Sequence, residues 1–310
     1  MKRYLSLFAS AAMYAAFPVS AQEVKTHPAP SEIVASAKAG EWVAIAPTDL
    51  MVMDLAPDSK GRPRRVVIQL IPEPFGQGWV GNIRKLAAAK FWDGTSINRV
   101  QDNYVVQWGD ASEKKALPNG LAVVSESEYV FSEALTRSRS LDPIFVPPNN
   151  IIRWTSFHQG FPVAGVATPD TASNWPIHCY GMVGVGRNLS PDTGSGAELY
   201  TVIGHAPRHL DRNIALVGRV IEGIEHMSSL PRGTGALGFY EKEEERVRIL
   251  SVRLGNEAKD VPAFEYLDTE SESFAAYADA RANRRDPFFN IPAGGADICN
   301  IPVPIRRKAK

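Results

Sequence analysis

The chain has 310 residues, of which 44% are hydrophobic, and its 34 Lys and Arg residues balance 34 Asp and Glu residues. This is enough apolar material for a sizeable core in one or two domains. The neutral balance lacks the basic excess of a nucleic-acid-binding surface, so we expect no nucleic-acid partner.

The first residues have the parts of a secretory signal peptide. After a basic pair, an apolar run covers 4–17, and the small residues Val19 and Ala21 stand at positions −3 and −1 of a cleavage site. We therefore predict a signal peptide over 1–21 and an exported protein, with the periplasm as its expected compartment. An uncleaved N-terminal anchor is the alternative. No later segment reaches the roughly 20 apolar residues needed to cross a bilayer, so we expect no membrane span.

The next elements alternate between extension, hairpin and helix. Residues 22–47 are predicted to be an N-terminal extension with a short capped helix near Ser31. The alternating segments "DLMVMDLAP" and "RRVVIQLIP" flank the polar "DSKGRP", which predicts an antiparallel hairpin. In "GWVGNIRKLAAAK" the apolar residues Val80, Ile83 and Leu86 recur at helical spacing, which predicts an amphipathic helix.

Residues 111–177 contain many prolines, and we predict long loops there with at most brief strands. "YGMVGVGR" and "AELYTVIG" are typical of strands. "NIALVGRVIEGIEHMSSL" predicts a strand running into a helix with Val220, Ile224 and Met227 on its apolar face. "RVRILSVRLG" is predicted to end the β material. The C-terminal extension, 256–310, is expected to hold one surface helix, "SESFAAYADARANRR", and an extended basic tail.

Three segments carry motifs whose order and spacing are specific. They are "NIRKLAAAKFWDGTSINRVQDNYVVQWGD", "GMVGVGR" and "GSGAELYTVIGHAPRHLDRNIALVGRVIEGIE". The first is similar to the Asn-Phe-x-x-Leu helix, Phe-His-Arg and Phe-Met-x-Gln-x-Gly-Asp motifs of the cyclophilin family of peptidyl-prolyl cis-trans isomerases. The others resemble that family's Gly-x-(Leu/Val)-x-Met-Ala strand and its Gly-Ser-Gln-Phe-Phe-Ile and Leu-Asp-x-x-x-x-Val-Phe-Gly-x-Val-x-x-Gly segments.

The resemblance, to an exported bacterial member, covers about residues 48–255 and implies a fold and an activity. The expected fold is mostly β: a closed antiparallel barrel capped by two helices, with an enlarged loop at 111–177 and an extension at each end. The implied activity is isomerisation of peptide bonds before proline in polypeptide clients, by a monomer without a cofactor. A non-catalytic chaperone or scaffold that binds prolyl segments is the alternative.

The chemistry of the reaction explains why the motifs contain no nucleophile. The barrier of about 18–20 kcal/mol is amide resonance, so a catalyst needs only to bind the twisted amide better than the planar one. By position, Arg99 would donate to the prolyl nitrogen, and Gln107 would hold a neighbouring carbonyl. The substrate-binding residues that the resemblance implies are Asn98, Tyr104, Val105, Glu198, Tyr200, His209, Leu210 and Ile214.

Several of these positions differ from the family pattern. Glu198 replaces a Gln and brings a carboxylate that could orient or neutralise Arg99, while Asn98 replaces a His and Tyr200 a Phe. His209 stands where many eukaryotic members have Trp, and Ile214 where they have His. Without the motif, Arg99 would be read as part of a surface salt bridge to Asp102, and the apolar residues as barrel core.

Two further groups of residues have side chains suited to other chemistry. His205, His209 and Asp211 are close enough in sequence for a metal site, but Pro207 argues against a helix that presents both rings together, and we predict no metal. Cys179 and Cys299 form a possible disulfide in an exported chain, with two unrelated buried thiols as the alternative.

Overall fold

The structure is a computed structural model that describes residues 27–132, 144–146, 151–168 and 171–308. The predicted signal peptide at 1–21 lies outside the described residues. The strands are β1 Trp42–Ile45, β2 Leu50–Leu55, β3 Arg64–Leu70, β4 Ser96–Val100, β5 Val105–Gly109, β6 Ile144–Val146, β7 Ile151–His158, β8 Phe161–Ala167, β9 Ala172–Pro176, β10 Met182–Val185, β11 Leu199–Val202, β12 Leu216–Glu222, β13 Val247–Leu254, β14 Phe264–Leu267 and β15 Ile305–Arg307. The helices are α1 Pro30–Ser36, α2 Gln77–Ala88, α3 Glu225–Ser228 and α4 Glu272–Ala282.

Eight strands form a closed antiparallel barrel in the order β10-β11-β5-β4-β13-β2-β3-β12, and β12 pairs back with β10. The predicted mostly-β fold and its closed barrel are thereby confirmed. The predicted hairpin is β2 and β3, which pair in the register Met53↔Val66. Both of these side chains are fully buried, because alternate residues of each strand face the barrel interior.

The predicted amphipathic helix is α2, which contacts β12 and β13 with the buried side chains of Trp79, Ile83 and Leu86. The segment "NIALVGRVIEGIEHMSSL" forms the predicted strand and helix, but the predicted position and length of the helix are wrong. Val220 lies in β12, and α3 is a four-residue turn of helix that contains Met227 and contacts β3. The strand extends further than periodicity suggested, until Gly223 turns the chain with a φ of 85°.

The prediction of long loops over 111–177 is wrong for the second half of that segment. β6, β7, β8 and β9 form a four-stranded antiparallel sheet, which we call the insertion sheet. Gln159 and Gly160 make the turn between β7 and β8, both with positive φ, as two-residue hairpin loops require. The prolines misled the prediction because Pro162 occupies the start of a strand, where its fixed φ is tolerated.

Both chain extensions also contain β structure, contrary to the prediction that it ends at residue 255. β14 pairs with β1 on one side and β15 on the other, and we call this three-stranded unit the terminal sheet. The predicted C-terminal helix is α4, whose N-cap Ser271 accepts a hydrogen bond from the backbone of Phe274. It packs against α1, which begins at Pro30 with Ala29, not Ser31, as its N-cap.

Arg219 of β12 lies where the barrel, the insertion sheet and the terminal sheet meet. Its guanidinium donates to Gln69 Oε1 at 2.8 and 3.0 Å and to the carbonyl of Gly160 at 2.6 Å. It also lies 4.4 Å from the ring centroid of Phe161 and 5.8 Å from that of Tyr266. Burial lowers the pKa of Arg219 to about 9. One charged side chain thus joins all three sheets.

A disulfide between Cys179 and Cys299 links the segment before β10 to the C-terminal tail. The loop that it closes has a sequence separation of 120. Within the described ranges, no helix is long and apolar enough to cross a membrane.

Candidate active site

Strands β4 and β5 place Arg99 and Gln107 side by side on the barrel wall. The two residues are register partners, beyond an irregularity between Ile97 and Arg99. Nη1 of Arg99 donates to Gln107 Oε1 at 3.1 Å, Nε donates to the carbonyl of Leu237 at 2.8 Å, and Nη2 donates to Gln101 Oε1. Three acceptors from three segments therefore fix the plane of the guanidinium.

The surroundings of Arg99 are aromatic. Its Cζ lies 5.8 Å from the ring centroid of Tyr104 and 5.3 Å from that of Phe239. The alternative of a surface salt bridge between Arg99 and Asp102 is wrong, since Asp102 accepts from Arg232 at 3.0 Å. Partial burial lowers the pKa of Arg99, but a guanidinium stays charged at physiological pH. The group is thus a fixed cation with no carboxylate neutralising it among the described residues.

A small pocket of about 110 Å³ opens beside this cation. Val105 and Tyr200 form its floor, and both pack with Val202 in one cluster of buried apolar side chains. The pocket is lined by Arg99, Tyr104, Val105, Gln107, Gly186, Arg187, Tyr200, Leu210 and Ile214. Apolar walls with a few polar groups at the rim are typical of a site for a small apolar ring.

The structure places the remaining predicted site residues outside this pocket. His209 is exposed and stacks on the outer face of Tyr104, with ring centroids 6.2 Å apart. Asn98 and Glu198 line a second, larger cavity of about 460 Å³, which shares Gln107, Gly186 and Arg187 with the first. The two cavities are therefore contiguous across Gln107.

Glu198 and Arg99 do not form a direct ion pair. Gln107 lies between them and is hydrogen-bonded to both. Burial raises the pKa of Glu198 to about 7, and hydrogen bonds from the side chains of Gln107 and Asn98 oppose that rise. Oε1 of Gln107 accepts from Arg99, which leaves its amide nitrogen for the carboxyl group. Gln107 is consequently the link between an ionisable group and the cation.

Sequence reasoning missed several residues at this site. Gln101 follows Arg99 by two positions, and that spacing places both side chains on one side of an extended segment, so a signal was available. Leu237 and Phe239 belong to a loop 138 residues beyond Arg99, and nothing local in the sequence connects the two. Arg187, which lines both cavities, was also missed.

The residues that could have formed a metal site, His205, His209 and Asp211, are not arranged as metal ligands. Within the part of the chain that the structure describes, no group of three or more His, Cys, Asp and Glu residues is placed to hold a metal ion. The carboxylate of Asp211 is hydrogen-bonded to the side chains of His178 and Arg208.

A family model decides the identity. The model of "Cyclophilin type peptidyl-prolyl cis-trans isomerase/CLD" matches residues 64–254, more than half of the chain. The chain belongs to the cyclophilin-type peptidyl-prolyl cis-trans isomerases. The predicted family and its isomerase activity are confirmed. Cyclophilins bind proline-containing peptides, which agrees with an apolar pocket beside a fixed guanidinium.

One solved structure supports the fold of this cyclophilin. Cyclophilin AquaCyp293 from Hirschia baltica matches with a TM-score of 0.66 and 22% identity, over 87% of this chain and 95% of that chain. This coverage extends beyond the barrel into the extensions. A cyclophilin-type isomerase from Cryptosporidium parvum, solved in the presence of the dipeptide Ala-Pro, matches with a TM-score of 0.37 and 11% identity, over 66% of this chain and 98% of that chain. At that TM-score the match says nothing about the site or the ligands of this chain. No curated protein matches it.

Proposed function

We propose that Arg99 and the small pocket beside it are where this cyclophilin isomerises X-Pro bonds, and that its clients are exported proteins. The observation that carries the assignment is the immobilised guanidinium at the rim of a pocket with apolar walls. A cation held in place before the reaction needs no reorganisation when charge develops on the substrate.

The mechanism follows from the electronic structure of the amide. As the X-Pro bond twists, conjugation is lost and a lone pair appears on the prolyl nitrogen. An N–H of Arg99 donates to that lone pair and stabilises the twisted form more than the planar one. The apolar pocket holds the proline ring still while the preceding residue rotates. Gln107 keeps the guanidinium turned toward the ring, because its Oε1 accepts one of the Arg99 donors.

The exported context rests on two features that support it together. The predicted signal peptide at 1–21 directs export, and the bond between Cys179 and Cys299 suits an oxidising compartment such as the periplasm. In this proposal the protein acts as a monomer on polypeptides and has no nucleic-acid partner. Mass spectrometry of the protein recovered from a periplasmic fraction tests the export step. A chain that begins at Gln22 supports it, and an intact Met1 in the cytoplasmic fraction contradicts it.

The catalytic assignment is tested with Arg99→Ala in two assays, isomerisation of a proline tetrapeptide and a refolding reaction limited by proline isomerisation. We expect kcat/KM to fall by about 10- to 1,000-fold, which is about 1.4–4 kcal/mol of transition-state stabilisation. The matched control is Arg253→Ala, which removes another partly buried arginine that pairs with Asp93 and lines neither cavity. Equal rates for wild type and Arg99→Ala would instead favour a non-catalytic scaffold for prolyl segments.

A further inference from the structure

The hydroxyl of Tyr200 points away from the small pocket and into a buried polar chain. Its Oη lies 2.8 Å from Nε2 of His178, whose Nδ1 lies 2.8 Å from Oδ1 of Asp211. His178 is fully buried, and Tyr200 is 5% exposed. The phenol of a pocket-floor residue is therefore tied to a buried imidazole and a buried carboxylate.

The neighbours of Asp211 fix the direction of these hydrogen bonds. The backbone N–H of His178 donates to Oδ1 of Asp211 at 3.0 Å, and Nε of Arg208 donates to Oδ2 at 2.6 Å. Burial alone would raise the pKa of Asp211, but the bonds from His178 and Arg208 outweigh it and lower that pKa. Asp211 is thus an ionised acceptor. A neutral His178 ring then carries its proton on Nδ1, which donates to Asp211, and its Nε2 accepts from the Tyr200 hydroxyl.

Gly184 provides the space for this arrangement. A Cβ atom at Gly184 would lie 2.3 Å from both Cζ and Oη of Tyr200, closer than any side chain allows. The Tyr200 ring passes directly over this glycine, nearly parallel to the His178 ring, with centroids 6.3 Å apart. The absence of a side chain at residue 184 and the acceptor at residue 178 therefore select the same tyrosine rotamer.

We propose that His178, oriented by Asp211, is a positioning residue for isomerisation: it withdraws the Tyr200 hydroxyl from the proline pocket so that only the ring face meets the substrate. This inference rests on the small pocket being the proline site. A tyrosine at this position would otherwise expose a hydroxyl to an apolar ring, and desolvating an unpaired hydroxyl is costly. His178 satisfies that hydroxyl and never touches the substrate.

The test is a double-mutant cycle with His178→Leu and Tyr200→Phe, read as kcat and KM on a proline tetrapeptide. His178→Leu leaves the Tyr200 hydroxyl without its acceptor, so the ring turns into the pocket. We expect kcat/KM to fall by about 10-fold, mainly through KM. In the Tyr200→Phe background there is no hydroxyl to satisfy, and the same substitution should cost less than about 3-fold. An equal loss in both backgrounds would overturn the proposal.

A second measurement keeps the proposal testable if His178→Leu does not fold, and it does not depend on activity. The ¹⁵N spectrum of the His178 ring, in wild type and in Tyr200→Phe, should show a proton on Nδ1 in both. The Nε2 resonance should move when the phenol is removed. A proton on Nε2 in the wild type, or an unchanged Nε2 resonance, would refute the inference. Should Arg99→Ala be fully active while this spectrum is as expected, the catalytic assignment of Arg99 fails and the Tyr200 arrangement stands.

Discussion

The carboxyl group of Glu198 rests on the backbone of Gly109, so closely that a Cβ atom at Gly109 would lie 1.8 Å from Oε1 of Glu198. Oε2 has no hydrogen-bond partner among the described residues. This packing shields the carboxyl group from much of the surrounding water, and burial accordingly raises its pKa to about 7. The carboxyl group therefore gains or loses its proton near neutral pH, two bonds of a hydrogen-bond chain away from Arg99.

We predict that kcat/KM falls as the pH rises through about 7, the value to which burial raises the pKa of Glu198. The ionised form adds a negative charge near the guanidinium and weakens its attraction for the prolyl lone pair. A change of about 3- to 10-fold is expected, since the charge acts through Gln107. Glu198→Gln keeps the side chain neutral and should give a flat profile over pH 5–9. A profile that still titrates near pH 7 in Glu198→Gln would contradict the assignment of the effect to Glu198.

The same titration predicts a stability effect with a definite sign. Because the folded-state pKa of Glu198 lies above its ordinary value, folding favours the protonated form. Its contribution is fully present below about pH 4.5 and is lost as the pH rises through about 7. Glu198→Gln should therefore gain stability relative to wild type between pH 5 and pH 8, as measured by urea unfolding at both values. An unchanged difference between the two proteins would contradict the buried-acid assignment.

Substitution of Gly184 should change the pocket by displacing the ring of Tyr200. Gly184→Ala places a methyl group against Cζ and Oη of Tyr200 and forces the ring off His178. We expect about a 10-fold loss of kcat/KM on a proline tetrapeptide, because the displaced ring enters the pocket. Gly81→Ala is the control, since a Cβ atom there meets nothing within 4 Å. Full activity of Gly184→Ala would show that the tyrosine rotamer does not matter for turnover.

Helix α4 should be part of the same cooperative unit as the barrel. Phe274 is buried against Phe157 of the insertion sheet, with ring centroids 5.0 Å apart, and both belong to the main core cluster. Phe274→Ala should cost about 3–5 kcal/mol of unfolding free energy. The control is Phe288→Ala, which truncates a phenylalanine that is 85% exposed and should change little. A single urea transition, shifted as a whole in Phe274→Ala, is the expected result, whereas two separate transitions would mean that the extensions unfold independently.

The disulfide should stabilise the folded protein without taking part in catalysis. The pairing of Cys179 with Cys299 restricts a loop with a sequence separation of 120 in the unfolded chain. Replacing both residues with Ser should lower the unfolding free energy by about 2–4 kcal/mol. Reductant should destabilise the wild type by a similar amount and leave the double Ser variant unaffected. If reductant acts equally on both proteins, the bond is not what stabilises the tail.

Single strands could be predicted because alternation is a local signal, whereas the closed barrel and the site residues were implied by the resemblance to the cyclophilin family. Alternation in "RRVVIQL" defines a strand, and the spacing from Arg99 to Gln107 follows from two short strands joined by a turn. The insertion sheet could not be predicted, since Pro162 and Gly165 interrupt its pattern. Gly165 is needed because the Trp154 ring covers it so closely that a Cβ atom would lie 2.2 Å away.

The contacts that define the chemistry are mostly distant in sequence. The carbonyl of Leu237 comes from a separate loop, and the Tyr200 hydroxyl meets an imidazole 22 residues earlier, at His178. Motifs assign a residue type to a position, but they do not state what that residue touches. The departures Glu198 and Tyr200 were visible in the sequence, whereas their effects depend on burial and on space at Gly184 that only the folded chain reveals.

The terminal sheet also constrains how the protein is made. β1, near the N-terminus, pairs with β14, and β14 pairs with β15, so the guanidinium of Arg306 comes to lie 3.7 Å from the ring centroid of Trp42. Because a chain is synthesised from its N-terminus, strand β1 emerges long before its partner β14. The barrel strands can pair as soon as residue 254 is available, but β1 keeps an unpaired edge until β14 has also been synthesised. This isomerase would itself pass through an interval in which it needs protection from aggregation.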